Sequence, residues 1–539
     1  RRAFRPSHPA AHAGAGPEEG DDVPAGDDEA RELARTLRAL LEWAHESGGA
    51  RSSEVVGLLG EHLGDAGRAE SVVGRELPPF EQVNLQVALD VWTAVPQRRA
   101  VVQGLSLPPH YSGLSLQQLL HGDGLPPVRL SAPALTDLPA GPDRTVACLT
   151  RALLLVEDSH GRYVLLVRGP EPHEEPVLSL EVAGLATAAA QEVLRELAEL
   201  RSRHNVYRGQ VVELVHGRSG PALEFPALPR TTRDDVVLPD DVLRRVERHA
   251  LEVGRRRDAL RAAGQHLKRG LLLYGPPGTG KTHTTRYVVQ QMAGSTVLLL
   301  SGAALHAVGT IAQLARDLQP AVVVLEDVDL VAEDREYGPN ANPVLFSLLD
   351  AMDGAAGDAD LLFLLTTNRA DLLEPALAAR PGRIDVAVEI GLPDAPSRRR
   401  LFDLYARPVP LDVSPGDVDA VVERTDGVTA SFMKELLRRA VLEALTDRDA
   451  GPHHGTEGSP ERTADVPPVA GEHLRRALDD LLDSAQGVTR ALLGVPGDDD
   501  RDGAAPYPAP VLRRGRSFGL HGGQGWARPG VMPAVYTDE

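Results

Sequence analysis

The stretch that most restricts the fold is an apolar run followed directly by a glycine-rich loop. The run Leu271–Tyr274 has the composition of a buried strand, and the residues after the loop suit a helix. The loop consists of Gly275, Pro276, Pro277, Gly278, Thr279, Gly280, Lys281 and Thr282. Glycines allow a tight turn whose backbone N–H groups surround phosphate oxygens, and the next helix directs its positive N-terminal end at the same anion. The order strand, loop, helix therefore predicts a nucleotide phosphate site in an α/β fold.

Two side chains of this loop are predicted to act on the phosphates directly. Lys281 is placed to reach the β- and γ-phosphates, and the Thr282 hydroxyl is placed to bind a Mg²⁺ that bridges them. The chain contains only three lysines, Lys268, Lys281 and Lys434, so a lysine in this pattern is not a product of composition. The predicted cofactors are ATP and Mg²⁺.

Polar side chains follow two further strand-like runs. Ala321–Leu325 is followed by Glu326 and Asp327, a pattern that resembles a Walker B motif. Acids are needed there twice, to hold hydrated Mg²⁺ and to polarise the water that attacks the γ-phosphate. Leu361–Leu365 is followed by Thr-Thr and then Asn368, which we predict orients that water. Because parallel strands present their carboxyl ends at one edge, these groups are expected to meet the glycine-rich loop there.

An extended pattern after the third run makes a family resemblance plain. The segment from Asp371 to Asp385 contains Arg380-Pro-Gly-Arg383. Together the motifs resemble the AAA ATPases, whose main clade includes membrane-protease, katanin-type and proteasomal unfolding motors, over about residues 235–448. The resemblance implies a P-loop NTPase parallel sheet with helices on both faces and a small helical lid. It also implies a homo-oligomer, a hexameric ring, in which Arg383 serves as an arginine finger for the neighbouring subunit's nucleotide.

The sequence departs from the family pattern at three places. Most members carry Asp and then Glu after the Walker B strand, whereas this chain has the inverted order. By position we assign Glu326 to Mg²⁺ and Asp327 to water activation, and because Asp is one methylene shorter we expect slow turnover. Val386 stands where a second family arginine is frequent, and Ala307 stands where threading motors usually carry an aromatic pore residue. Val386 leaves one guanidinium at the matched motif, so we expect weaker activation in trans, and Ala307 weakens the expectation that the chain threads polypeptide.

The remaining composition patterns divide the chain into further parts. From the N-terminus we expect a disordered acidic tail (1–30), a helical, loop-rich region (31–140), a small α+β domain (141–230), the large ATPase subdomain (235–392), its helical lid (393–448), a linker with one helix (449–495) and a disordered tail (496–539).

Charge and cysteine content restrict the partners and the compartment. The formal net charge is −20, which repels phosphate backbones and argues against a nucleic-acid partner. No apolar run approaches the roughly 20 residues that cross a bilayer. The single cysteine, Cys148, suits a reducing compartment, and we expect a cytoplasmic protein.

Two functions of different classes remain open at this point. The first is an oligomeric ring that hydrolyses ATP at subunit interfaces to remodel an unknown protein client selected by residues 31–230. The second is a nucleotide-sensing scaffold that hydrolyses little ATP, as the inverted acids, Val386 and Ala307 suggest. A DNA-remodelling motor is a third reading, which only the arginines of the C-terminal tail favour.

Overall fold

The computed structural model contains two seven-stranded sheets and a helical region. It describes Thr36, Asp350 and residues 54–65, 67–68, 70–108, 113–121, 128–170, 176–217, 220–329, 359–370, 384–450 and 466–483. Both predicted tails, 1–30 and 496–539, lie outside these residues. Within them, no helix combines the length and the apolar character needed to cross a membrane.

The first sheet, here called the N-terminal sheet, is antiparallel, in the order β1-β7-β6-β5-β2-β3 with β4 paired to β5. Its strands are β1 (Val73–Leu77), β2 (Arg99–Ser106), β3 (Arg129–Ser131), β4 (Ala134–Gly141), β5 (Arg144–Asp158), β6 (Gly161–Arg168) and β7 (Leu178–Ala183). Helices α2 (Gln82–Thr93) and α4 (Thr187–Arg203) pack on one face, where Trp92 is fully buried. Helices α1 (residues 54–65) and α3 (Leu116–His121) cover the other face.

This arrangement differs from the predicted helical, loop-rich region at 31–140. Strands β1 to β4 lie within that range and join the strands of the predicted α+β domain in one sheet. The sequence signal is weak because these strands are largely exposed, as in β2, where only Gly104 and Leu105 are buried. An exposed strand loses the apolar alternation by which strands are recognised.

The second sheet, here called the parallel sheet, has the order β14-β10-β13-β12-β11-β8-β9. Its strands are β8 (Val211–Gly217), β9 (Gly220–Glu224), β10 (Arg269–Tyr274), β11 (Thr296–Ser301), β12 (Ala321–Glu326), β13 (Leu361–Thr367) and β14 (Val386–Glu389). All pairs are parallel except the β8–β9 hairpin. The central strands are continuous apolar runs because helices cover both of their faces.

The helices of this sheet confirm the predicted fold class. One face carries α5 (Asp240–Glu247) and α8 (Lys281–Gln291), and the other carries α9 (Val308–Asp317). After α5 the chain continues through a π-helical segment, Arg248–Glu252, into two short helices, α6 (Val253–Arg255) and α7 (Arg257–Ala262). The result is a mixed α/β layer structure of the P-loop NTPase kind.

Strands β8 and β9 contradict the predicted domain boundary at residue 230. Val211 lies opposite Val297 in a parallel pair, so β8 belongs to the parallel sheet and not to a separate α+β domain. Local sequence cannot show this, because the partner strand lies more than 80 residues further along the chain.

The two sheets share one apolar core. Phe80 and Val83 from the N-terminal region pack in the same buried cluster as Tyr207 and Ile311. Buried polar contacts join the same elements, since the Tyr207 hydroxyl donates to the Phe80 carbonyl at 2.6 Å and the Val206 N–H donates to Asn84 Oδ1 at 2.9 Å. The N-terminal sheet is therefore attached by a continuous core rather than by a linker.

The helical region has its own core. It consists of α10 (Ala395–Ala406), α11 (Pro415–Arg424), α12 (Ala430–Ala450) and α13 (Gly471–Leu482), with the short parallel pair β15 (Leu411–Asp412) and β16 (Val469–Ala470). The α12 face is buried as predicted, with Met433 and Leu436 fully so. Two details differ: α13 packs into this core instead of standing in a linker, and Asp394, not Ser397, caps α10.

The shared core predicts a specific energetic cost for Tyr207→Phe. This change removes a buried hydroxyl and leaves the Phe80 carbonyl without its donor, so the free energy of unfolding should fall by about 1–2 kcal/mol. Urea unfolding followed by tryptophan fluorescence measures it. The matched control is Tyr405→Phe, whose hydroxyl makes no hydrogen bond with the described residues, and it should be near neutral. Equal effects of both changes would contradict the proposed contact.

Candidate nucleotide-binding site

The glycine-rich loop joins β10 to α8, and its glycines are required by geometry. Gly275, Gly278 and Gly280 all have positive φ angles, of 146°, 77° and 109°. A Cβ atom on Gly275 would lie 2.2 Å from the carbonyl oxygen of Ile390. Gly275 therefore lies too close to the neighbouring backbone for any side chain, and Gly280, in the left-handed conformation, is the N-cap of α8.

Lys281 is buried at the start of α8. Its Nζ donates to the carbonyl oxygens of Gly275 and Pro276, both at 2.8 Å. Burial lowers the pKa of Lys281 to about 8, although Asp327 and Asp329 oppose the shift. The ammonium is thus held inside the loop, where an anion would meet it with little water to screen the charge.

Of the acids at the end of β12 and just after it, Asp327 and Asp329 stand near this ammonium. Glu326 and Asp327 are half-buried, and the pKa of each is raised, chiefly by burial. Asp327 raises the pKa of Glu326 further, and Asp329 does the same for Asp327, while Lys281 opposes the shift of Asp327. Asp327 has a φ of 51°, unusual for a residue with a side chain, and its N–H donates to Thr366 Oγ1 at 3.0 Å. Its backbone is therefore fixed by the adjacent strand.

Asn368 lies beside the acids, as its place after β13 predicts. Its Nδ2 donates to Asp327 Oδ1 and Asp329 Oδ2, each at 3.4 Å. Its backbone N–H donates to Asp329 Oδ1 at 3.0 Å, and Thr367 Oγ1 donates to the same oxygen at 2.9 Å. The buried Asp329, to which sequence analysis gave no role, is therefore the residue that holds Asn368 in place.

A cavity of about 400 Å³ opens beside the loop. Thr279 of the loop, Val237 and Leu238 before α5, Leu392 after β14 and Ala430 at the start of α12 contribute to its walls. These residues come from four separate parts of the chain, which is why sequence analysis missed the cavity. Its mixed apolar and polar walls suit a nucleoside.

The helical region contacts the loop directly. The Ser431 N–H donates to the Gly278 carbonyl at 3.0 Å, and a Cβ atom on Gly278 would lie 2.2 Å from Ser431 Oγ. Thr429 Oγ1 and Ser431 Oγ share a hydrogen bond of 2.9 Å. The start of α12 therefore rests on the part of the loop where phosphate is expected.

Other predicted site features differ in how far the structure describes them. Arg383 and its segment lie outside the described residues, so the arginine-finger assignment stays a prediction. Val386 lies at the start of β14. Gly302–Ala307 forms a 3₁₀ helix in which Ala307 packs against the core and His306 is exposed. The resemblance of this segment to a pore loop also stays a prediction.

The donor atoms of the site suit Mg²⁺. In the described part of the chain no three His, Cys, Asp or Glu side chains are grouped to hold a metal ion by themselves. Mg²⁺ in nucleotide sites uses one or two protein oxygens together with phosphates and water. The half-buried Thr282 hydroxyl, in the first turn of α8, and the Glu326 carboxylate are oxygen donors of that type.

Known proteins match the chain over this region. The family model described as "ATPase family associated with various cellular activities (AAA)" matches residues 271–392. A cell division cycle protein 48 homolog from Archaeoglobus fulgidus is 29% identical over 297 residues, which cover 52% of this chain and 38% of that protein. An ATP-dependent zinc metalloprotease FtsH from Rhodococcus erythropolis is 32% identical over 254 residues, covering 44% and 29%. The human ATPase family gene 2 protein homolog B is 34% identical over 199 residues, covering 35% and 26%.

These matches span between 26% and 38% of the three relatives. Most of each relative's length therefore has no counterpart in the match.

The environment of Lys281 predicts its titration. With ¹³C-labelled lysine the chain should give three Cε signals, one with a midpoint near pH 8, and Lys281→Arg should remove that signal. Because the unfolded chain keeps this proton up to about pH 10.5, the free energy of unfolding should rise between pH 8 and 10.5. A Lys281 midpoint at or above pH 10 would show that the ammonium is not held in the loop.

Proposed function

We propose that the chain, which belongs to the AAA ATPase family through residues 271–392, binds ATP with Mg²⁺ and hydrolyses it to ADP and phosphate. The observation that carries the proposal is the meeting of three groups at the carboxyl ends of neighbouring strands. They are the buried Lys281 ammonium, the Asp327 carboxylate and the Asn368 amide. Binding, water activation and water placement each have a candidate residue.

In the proposed complex the phosphates lie over the loop and the nucleoside lies in the adjacent cavity. The N–H groups of the loop and the first turn of α8 point at the phosphates. The Lys281 ammonium exchanges its bonds to the Gly275 and Pro276 carbonyls for bonds to β- and γ-phosphate oxygens. This exchange raises the pKa of Lys281, because the charged form gains a partner. Thr279, Leu238 and Ala430 enclose the nucleoside.

Thr282 and Glu326 are proposed to hold Mg²⁺, which neutralises charge on the β- and γ-phosphates when bound. The pKa of Glu326 is raised by burial and by Asp327, so this carboxylate is costly to keep charged without a cation. A cation beside it would favour its ionised form. Glu326, the first acid of the inverted pair, is therefore assigned as a metal ligand.

Asp327 is proposed to accept the proton of the attacking water, and Asn368 to hold that water in line. The raised pKa of Asp327 makes it a stronger base than an exposed aspartate. Asn368 Nδ2 donates to one carboxylate oxygen of Asp327 and one of Asp329, which restricts the orientation of these side chains. The short Asp side chain is the reason to expect slow turnover.

The oligomeric part of the proposal is a ring, hexameric by family resemblance, in which Arg383 of one subunit reaches the nucleotide of the next. The described chain resumes close by: the Asp385 side chain accepts the Gly270 N–H at 2.8 Å, and β14, an edge strand of the parallel sheet, begins at the next residue. The reach of Arg383 itself rests on the family resemblance.

We further propose a protein client that binds the N-terminal sheet, and a cytoplasmic location. The continuous core with the parallel sheet supports the first point, because a client bound there would be attached rigidly to the ATPase. Cys148, the single cysteine, is buried in this core, which suits a reducing compartment.

A nucleotide-sensing scaffold is the second candidate. The inverted acids favour it, since Asp327 falls one methylene short of the usual Glu and is held by a strained backbone at φ 51°. Such a protein would bind ATP with similar affinity and turn it over very slowly. Steady-state hydrolysis of the wild-type chain distinguishes the two.

Two variants separate binding from hydrolysis. Lys281→Ala should weaken ATP binding by about 10- to 150-fold, because a charge-assisted bond is lost. Asp327→Asn should keep ATP affinity and lower hydrolysis by about 10²- to 10⁴-fold. Calorimetry and phosphate release measure these effects, with the exposed Lys434→Ala as control. Undiminished ATP binding by Lys281→Ala would refute the phosphate site, and a negligible wild-type rate would favour the scaffold.

A mixing experiment tests the shared site. Lys281→Ala and Arg383→Ala should each be inactive alone, the second by about 10³- to 10⁵-fold with ATP binding intact. In a 1:1 mixture, random assembly gives roughly a quarter of interfaces an intact loop from one subunit and an intact finger from the next. Phosphate release should recover to about that fraction. No recovery in a mixed oligomer, or full activity of Arg383→Ala, would exclude a finger supplied in trans.

A further inference from the structure

An arginine-lined cleft of about 1100 Å³ lies beside β14 and α5, two elements that also line the nucleoside cavity. Its walls include α5, the π-helical segment Arg248–Glu252 and the start of β14. Arg245 lines both the cleft and the nucleoside cavity. Neither the phosphate site nor the proposed hydrolysis uses this cleft.

Three exposed arginines of the cleft, Arg244, Arg245 and Arg248, form no ion pair and no side-chain hydrogen bond with the residues that the structure describes. Arg248 follows Arg245 by three residues and Arg244 by four, so it lies near both on the helix surface and repels each of them. This group is called the arginine triad below. Together they place three positive charges on one wall of the cleft.

The acids around the cleft do not neutralise the triad, because their oxygens already bind other groups. Glu247 accepts from Arg233 at 3.1 Å, and Glu252 accepts from Arg256 at 3.0 Å. The Asp385 side chain accepts a backbone N–H of β10. Asp241 is the remaining acid of the lining, so the triad leaves the cleft with a surplus of positive charge.

His249 shows that the positive potential extends into the cleft. Its pKa is lowered first by burial and then by Arg248 and Arg245, with Asp385 opposing. A half-buried imidazole at the wall thus responds to the triad, which is the electrostatic environment that an anionic ligand prefers.

We infer that the arginine triad binds the acidic segment Glu18–Glu29 of the same chain. This segment carries seven acidic residues and no basic one, which makes it the strongest anionic run of the sequence. The other acidic run, residues 498–502, contains Arg501. A polynucleotide is disfavoured because the chain as a whole carries a net charge of −20. Attachment through residues 30–53 supplies the segment at high effective concentration.

The experiment uses full-length chains and a fluorescent peptide of residues 16–30. In the acid-neutralised chain, the seven acids of the segment are changed to Gln or Asn, which leaves the cleft open to the added peptide. Anisotropy at low salt should then show binding at least about tenfold tighter than to the wild-type chain, whose own segment competes. Added salt should weaken the binding.

Arginine variants locate the binding. In the acid-neutralised chain, Arg244→Gln, Arg245→Gln and Arg248→Gln together should weaken peptide binding at least about tenfold. The matched control removes the same number of charges away from the cleft, by changing Arg75, Arg99 and Arg129, three exposed arginines of the N-terminal sheet, to Gln. These changes should leave the affinity within about twofold. Thermal melting checks that all chains fold.

Four outcomes would overturn the inference. Equal peptide affinity of the wild-type and acid-neutralised chains would show that the segment does not occupy the cleft. Equal losses in the triad and control variants would show that charge alone, not this cleft, attracts the peptide. A labelled oligothymidylate that bound the triad more tightly than the peptide would make the cleft a nucleic-acid site. If the wild-type chain took up peptide on dilution, the segment would come from a second copy and not from the same chain.

Discussion

Parallel pairing of β10, β13 and β12 is the constraint on which the whole site depends. Tyr274 lies opposite Thr367, and Leu325 lies opposite Leu365, so the three strands end at nearly the same level. The loop, the acids and Asn368 each follow directly from one of these ends. A shift of one residue in either pairing would also turn Thr367 away from the buried carboxylate that it binds. The apolar side chains on the two faces of the sheet set the strand register. The register in turn determines where the polar groups at the carboxyl ends of the strands lie.

Within this frame, burial sets the chemistry of the charged groups. Lys281 loses hydration and its pKa falls, whereas Asp327 and Glu326 lose hydration and their pKa values rise. The two effects move the acids and the amine toward each other on the pH scale, and the opposite charges oppose both shifts. A polyanion with a divalent cation restores the balance, because the amine gains an anion while the acids gain a cation. The proposed magnesium nucleotide would supply both of these opposite charges.

The sequence predicts those parts of this arrangement that depend on local backbone chemistry. The positive φ angles of the loop, the buried strands and the place of Asn368 beside Asp327 follow from residue type and order. It does not predict β8 as a member of the parallel sheet, since strand pairing over a long separation leaves no local trace. It also gives Asp329 no role, because the contacts of that carboxylate depend on how two strands align. Arg383, which lies beyond the described residues, stays a prediction from resemblance.

The parallel sheet contacts the N-terminal sheet and the helical region in different ways. This difference determines which of the two neighbours would move when a nucleotide binds or is hydrolysed. The N-terminal sheet joins it through a buried apolar core that contains Phe80 and Tyr207, and opening that core would expose a large apolar area to water. The helical region meets the loop through polar contacts, such as the Ser431 N–H to the Gly278 carbonyl, at the place where phosphate is expected. Hydrogen bonds of this type exchange for water or ligand at small cost. A change at the loop should therefore move α12 and its neighbours, while the N-terminal sheet follows the parallel sheet as one body.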